Sequence, residues 1–451
     1  VGQVSTNNET QELGRFGDRG DGHSKFIYPA KIDDGTGMAT LEAFKVSATN
    51  LKAARGMLSQ VLDGRSSILP VPAADSPDAG ASDELKKVMR AGEPVEAGTL
   101  VATTSGSTGT PKGALLSAAN LRSSARATEQ VLRKKLKVEP GPWLLALPAH
   151  HIAGLQVILR GMMAGFTPVA TTALIEGTGF SVSGFAADAA ALKKRFPHED
   201  LHTSLVPPQV HSLLESEEGI EALKLFGAVL IGGAALGDKA RQQLDEAGVN
   251  YVLTYGSSET SGGMVYDGQA LPGATVSIED ADANGAGRIV LEGPMVARGY
   301  RNKDEDCFPE LGVYRTSDIG ALDGDTLQVL GRADGAINTG GVKVLPEQSE
   351  NATRSHAVVD GEAITEVCVS GVSDEHWGEA VVAVLRTAGA EASGEPVEVT
   401  DAVRSSMREA GCADYLIPRR AFAVAELPKT GPGKLDRIAI AELARQAVDA
   451  N

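Results

Sequence analysis

The sequence predicts an α/β protein: a large N-terminal domain of α/β sheets with a β-rich subdomain, then a small, mobile C-terminal α/β domain. Three observations carry this. Apolar runs at 144–147, 204–206, 227–231 and 251–254 alternate with helical stretches, the pattern of strands and helices wound into one sheet. From Ala274 to Leu330 the period falls to two between Gly and Asp turns, which marks a β-rich unit. At 451 residues the chain exceeds one ordinary core. The divisions expected are a flexible arm over 1–38, a large domain over 39–332 and a small domain over 333–451.

Residues 1–38 are rich in Gly, Asp, Asn and Ser and lack apolar periodicity, hence the arm. The stretch from Ala39 to Leu62 reads as helical, and Leu69-Pro70-Val71-Pro72 as a break into a loop. Thr99-Leu100-Val101-Ala102 reads as a short buried strand. Leu121, Ala125, Thr128, Leu132 and Leu136 recur at steps of three and four, one face of a helix. Leu144 to Pro148 is a buried strand that delivers His150 and His151 to its C-terminal end, where ligands of α/β sheets bind. No internal repeat is evident.

A net charge of −17 argues against a nucleic-acid or anionic-membrane partner. Basic residues inside Gly-rich motifs therefore gain weight as anion binders. Cys307, Cys368 and Cys412 are far apart, match no metal spacing and fit a reduced, cytoplasmic protein. No signal-peptide pattern opens the chain, although it starts at Val1 rather than Met. The longest apolar stretch, Trp143 to Phe166, is interrupted by Pro148, His150, His151 and Arg160, so no membrane span is expected. A homodimer is compatible with the sequence.

Residues 103–113 read Thr-Thr-Ser-Gly-Ser-Thr-Gly-Thr-Pro-Lys-Gly. Small residues let a backbone close around an anion, and hydroxyls add donors for phosphate oxygens. It is not the Walker loop, because Pro111 stands where that motif needs glycine. The run resembles the phosphate-binding signature of acyl-adenylating enzymes, the family of acyl-CoA synthetases, luciferases and peptide-synthetase adenylation domains. That resemblance implies a mobile loop over ATP, with Thr104, Ser105, Ser107, Thr108 and Gly109 at the phosphates and Lys112 as a catalytic lysine.

Further motifs follow in the family's order. Tyr255-Gly256-Ser257-Ser258-Glu259 combines a ring for a purine, hydroxyls for phosphate and a carboxylate for Mg²⁺. It resembles the family's Tyr-Gly-x-Thr-Glu, with Ser258 for Thr, and implies Glu259 as the catalytic, metal-holding residue. Gly233 and Ala234 resemble the edge that adenine approaches. Asp318 alone reads as a turn residue. With Arg332 and Asp334 it resembles the family's ribose clamp and hinge, Asp334 being the pivot. Arg298-Gly299-Tyr300 fits a scaffold motif. Lys434, within Gly431-Pro432-Gly433-Lys434, would alone be a solvated lysine and resembles the family's catalytic lysine on the small domain.

The resemblance implies a two-step reaction using ATP and Mg²⁺, with coenzyme A as co-substrate. A carboxylic acid attacks the α-phosphate, and the thiol of CoA then takes the acyl group. Gly340, Gly341 and Lys343 would line the second half-reaction's site. Stretches around His151, Ser204, Gly262-Gly263 and Ile337–Gly341 further resemble actinobacterial 2-succinylbenzoate–CoA ligases of menaquinone biosynthesis. This implies His151, Arg160, Ser204, Gly262 and Gly263 at the acyl group. The alternatives are another aryl or acyl acid, transfer to a carrier-protein thiol, or a nucleotide-binding protein without catalysis.

Overall fold

A computed structural model describes residues 37–74, 76, 79–104, 110–387, 395–430 and 434–450, except for the side chains of Thr430 and Lys434. The arm expected over 1–38 lies almost wholly outside these residues.

The first sheet has five strands in the order Pro94–Glu96, Met38–Val46, Ser67–Pro72, Thr99–Thr104 and Lys112–Ser117. It corrects two expectations. The stretch 39–62 is not one helix: Met38–Val46 is a strand, and only Leu51–Leu62 is an α-helix. Six parallel register pairs, Leu41↔Ser67 to Val46↔Pro72, bury Leu41 and Val46, and this outweighs the helix propensity of Met38, Ala39, Leu41, Glu42 and Ala43. Ser47 then starts a new turn, its Oγ accepting from the Thr49 N–H. Leu69–Pro72 is no loop either, but part of a fully buried strand. Its pairing with Thr99–Thr104 is confined to Ile68↔Leu100, so Pro70 and Pro72 lie beyond the ladder that a missing N–H would break.

The second sheet carries the strand–helix alternation. Its order is Gln269–Ala270, Gly262–Tyr266, Tyr251–Ser257, Phe226–Gly232, Leu201–Leu205, Trp143–Leu145 and Val169–Ala170. The last five run parallel, and the chain reverses direction across the sheet between Trp143–Leu145 and Leu201–Leu205. Such a switch point opens a crevice at the strands' C-terminal ends, here at Ala146–His151 and Ser204–Pro207. Helix Ala118–Leu136 buries the predicted Leu121, Ala125, Thr128 and Leu132.

Thr275–Glu279, Gly287–Glu292, Val313–Asp323 and Thr326–Arg332 form the antiparallel sheet that the period of two predicts. Beyond Ala333 the chain builds a sheet around Glu362–Asp374 and Gly378–Thr387. One face packs on Val403 and Met407 of helix Thr400–Glu409, the other on Ile440, Ala444 and Ala447 of helix Arg437–Ala450. Among the described residues no helix is long and apolar enough to cross a membrane.

Candidate active site

The parallel strands fix one cluster. Gly232 and Thr254 are register partners, so exposed Gly233 and Ala234 leave their strand beside Tyr255 and Gly256. Gly233 has φ +84°, which favours glycine. At Gly256 a Cβ would stand 2.1 Å from the Gly262 carbonyl oxygen, so only glycine lets Tyr251–Ser257 and Gly262–Tyr266 close there. Between them, Ser258, Glu259 and Thr260 form a buried 3₁₀ turn.

Asp318 and Arg332 are register partners of one antiparallel hairpin, which sets residues 14 positions apart side by side. The Tyr255 hydroxyl donates to Asp318 Oδ2 at 2.6 Å, and Arg332 Nη1 lies 3.4 Å from Asp318 Oδ1. Burial raises both groups' pKa values, that of Tyr255 far above the ordinary phenol range, so the phenol remains a donor. Arg332 also donates to both oxygens of Asp334, at 2.9 and 2.5 Å. Its guanidinium is thus shared between the expected ribose carboxylate and the expected pivot. The Arg332 N–H donates to Glu347 Oε2 at 3.2 Å, a partner that the sequence did not signal.

A second chain of contacts joins the expected metal residue to the phosphate loop. Glu259 is 5% exposed, and the Tyr300 hydroxyl donates to its Oε1 at 2.7 Å. Lys112 Nζ stands 5.2 Å from the centre of the Tyr300 ring and pairs with Glu305 Oε2 at 2.8 Å. Burial pushes the Glu305 pKa up, but bonds from Lys112 and Lys303 bring it below its usual value. Thr104 and Lys112 are register partners at the base of the loop, and Ser258 Oγ donates to the Thr103 carbonyl at 3.3 Å. Ser105, Ser107, Thr108 and Gly109 lie outside the described residues. Sequence reasoning gave Tyr300 only a scaffold role and missed Glu305, which in Lys303-Asp304-Glu305-Asp306 looks like solvated charge.

Magnesium suits this donor set. Glu259 Oε2 has no hydrogen-bond partner among the described residues, and no group of three His, Cys, Asp or Glu side chains there could hold an ion alone. Mg²⁺ is commonly held by one or two carboxylates together with substrate phosphates and water, and Glu259 beside a phosphate loop offers that.

The residues expected at the acyl group lie on one helix and two strands. His151 caps helix Ile152–Met163, its ring 4.2 Å from that of His150, and Ser204 lies near the end of the neighbouring strand. Gln156 Nε2 donates to the Ser261 carbonyl at 2.6 Å, ahead of Gly262, whose φ is +96°, and Gly263. One turn on, Arg160 is 8% exposed and donates from Nη2 to the Tyr266 hydroxyl at 3.3 Å. That hydroxyl lies 2.9 Å from Thr128 Oγ1. Arg160 Nε is buried without a partner, and among the described residues no carboxylate pairs with this guanidinium. Gln156, Tyr266 and Thr128 carried no assignment from sequence.

The remaining candidates belong to the sheet beyond Ala333. Gly340 and Gly341, at φ +57° and +82°, turn the hairpin Ile337–Thr339/Val342–Val344, on which Lys343 is exposed. A Cβ on Gly340 would meet the Trp377 ring at 2.6 Å, and Arg419 covers that ring at 3.4 Å. Lys434 is the register partner of Thr430 in a two-stranded hairpin, and its side chain lies outside the described residues.

Three comparisons bear on these clusters. The family model described as AMP-binding enzyme matches residues 48–301, and that described as AMP-binding enzyme C-terminal domain matches 356–434. The chain is 40% identical over 367 residues to the probable 2-succinylbenzoate–CoA ligase of Mycobacterium tuberculosis, covering 79% of this chain and 88% of that protein. It is similar in structure, at TM-score 0.61 and 26% identity, to o-succinylbenzoate CoA synthetase from Bacillus subtilis in complex with the acyl-adenylate intermediate OSB-AMP. That match covers 86% of this chain and 80% of the other. The same synthetase in complex with ATP and magnesium ion matches at TM-score 0.60 and 26% identity, over 85% of this chain and 81% of that one.

Proposed function

The chain belongs to the AMP-binding enzyme family, and from that premise we propose that it is an ATP-dependent acid–thiol ligase acting on 2-succinylbenzoate in the cytoplasm. It makes 2-succinylbenzoyl-CoA, AMP and diphosphate, a step of menaquinone biosynthesis. The observation that carries the choice of acid is Arg160. A buried guanidinium with no carboxylate partner among the described residues calls for an anion. Arg160 lies two turns along the helix that His151 caps, on the face that also holds Gln156. A dicarboxylic acid with one carboxylate at the α-phosphate would bring the second to Arg160. Relatives named for this acid support the same reading.

In the first step the acid's carboxylate attacks the α-phosphate and diphosphate leaves. Both reactants are anions, so the protein's contribution is positioning and charge neutralisation. The Thr104–Lys112 loop receives the phosphates, Asp318 the ribose diol, and Lys434 bridges carboxylate and α-phosphate. Magnesium, held by Glu259 and the triphosphate, would neutralise further charge. In the second step the small domain turns about Asp334, and the CoA thiol attacks the acyl carbon beside Gly340 and Gly341, releasing AMP.

A panel of carboxylic acids, assayed for ATP- and CoA-dependent AMP formation, tests the proposal. 2-Succinylbenzoate should give the highest kcat/KM, and preference for a monocarboxylate would overturn the choice of acid. Arg160→Ala removes a charge-assisted bond of about 1.5–3 kcal/mol. It should raise KM for 2-succinylbenzoate about 10–100-fold while moving KM for ATP little. Equal changes in both would remove Arg160 from the acid site.

A further inference from the structure

Glu259 is held by a residue outside the phosphate loop and outside its own turn. The Tyr300 hydroxyl is the side-chain donor on Oε1, at 2.7 Å, and Oε2 is left without one among the described residues. Tyr300 is itself fixed. Its backbone bridges Ala114 on the strand that follows the phosphate loop, and its ring meets Phe308 edge-on at 5.1 Å. Phe308 in turn stacks on Tyr314 at 5.1 Å. The face of the same ring carries Lys112. One side chain thus touches both the expected metal carboxylate and the expected phosphate-loop lysine.

We propose that Tyr300 is a positioning residue for the adenylation step: it locks Glu259 so that Oε2 alone faces the cation of metal–ATP, and it seats Lys112 beside that carboxylate. The proposal rests on Glu259 being the metal residue in the function set out above. Its physical basis is orientation. A glutamate has three torsions to fix, and a hydrogen bond to one oxygen determines where the other points. Groups that orient metal-holding side chains in this way typically change metal affinity 10–100-fold when removed. Glu305 completes the arrangement by occupying Lys112 on its other side.

Tyr300→Phe deletes the hydroxyl and leaves the ring that Lys112 and Phe308 use. Binding of Mn²⁺ to the complex of full-length protein with ATP, followed by electron paramagnetic resonance, should weaken about tenfold. The Mg²⁺ concentration for half-maximal AMP formation should rise by a similar factor, with KM for the acid unchanged. Excess Mg²⁺ should restore most of the rate. A merely structural tyrosine predicts a lower Tm with wild-type Mn²⁺ affinity, and that result would overturn the proposal. Glu259→Gln separates the two layers of the argument. If it weakens Mn²⁺ binding and Tyr300→Phe does not, Tyr300 is no positioning residue. If neither variant changes Mn²⁺ affinity, the metal assignment of Glu259 fails and this proposal with it.

Discussion

Lys434→Ala should lose adenylation by about 10²–10³, the typical effect of removing one preorganised donor from a developing charge. It should still convert supplied acyl-adenylate and CoA to thioester at nearly the wild-type rate. The hairpin that carries Lys434 is anchored at its base. Lys429–Thr430 and Lys434–Leu435 pair, the Asp436 N–H donates to the Pro428 carbonyl at 2.9 Å, and Arg437 grips buried Glu350 with two bonds of 2.8 and 2.9 Å. Replacing the Lys434 side chain leaves these anchors untouched, so a general folding defect is not expected. A folding defect would reduce both half-reactions equally, and a solvated lysine would alter neither. Gly341→Arg should give the opposite pattern. No atom lies within 4 Å of a Cβ built there, so the new side chain projects outward from the hairpin, at a φ of +82° that also strains it. Adenylate should form while thioester formation is blocked. Loss of the same half-reaction in both variants would sink the division of labour between the two loops.

Glu259→Gln should depress adenylation on the order of 10²–10³-fold, and added Mg²⁺ should recover part of the loss. The substitution keeps shape and hydrogen-bonding length, so Tyr300 can still donate to the amide oxygen; only the charge that attracts a hard cation disappears. The measurement is the initial rate of diphosphate release against Mg²⁺ concentration. Wild-type activity at limiting Mg²⁺ would count decisively against Glu259 as the metal residue. The thioester step from supplied adenylate should be affected far less, because no triphosphate is present in it.

The candidates were legible in the sequence because the motifs that carry the family resemblance are local. Glycines and hydroxyls between Thr103 and Gly113, Tyr255 to Glu259 after an apolar strand, and Asp318 with Arg332 each record a backbone requirement or a donor set within one short segment. The strands at 227–231 and 251–254 were readable from apolar runs, and helix 118–136 from its period. Failures came where a ladder overruled a local preference. Met38–Val46 became a strand because Ser67–Pro72 offered it six parallel partners, and the prolines at 70 and 72 entered a strand because the ladder with Thr99–Thr104 on the other side stops at Ile68.

The sequence by itself determined the apolar strands, the long helix and the local motifs whose resemblance to the family names candidates for phosphate, ribose and cation. Only the tertiary structure decided what holds them. Tyr300 reaches Glu259, Glu305 reaches Lys112 and Tyr266 reaches Arg160 across 41, 193 and 106 residues. Such pairings follow from sheet register and helix packing, which join distant segments without leaving a pattern in either one. A buried charge records its need for a partner in its residue type, and the fold alone supplies the partner's address.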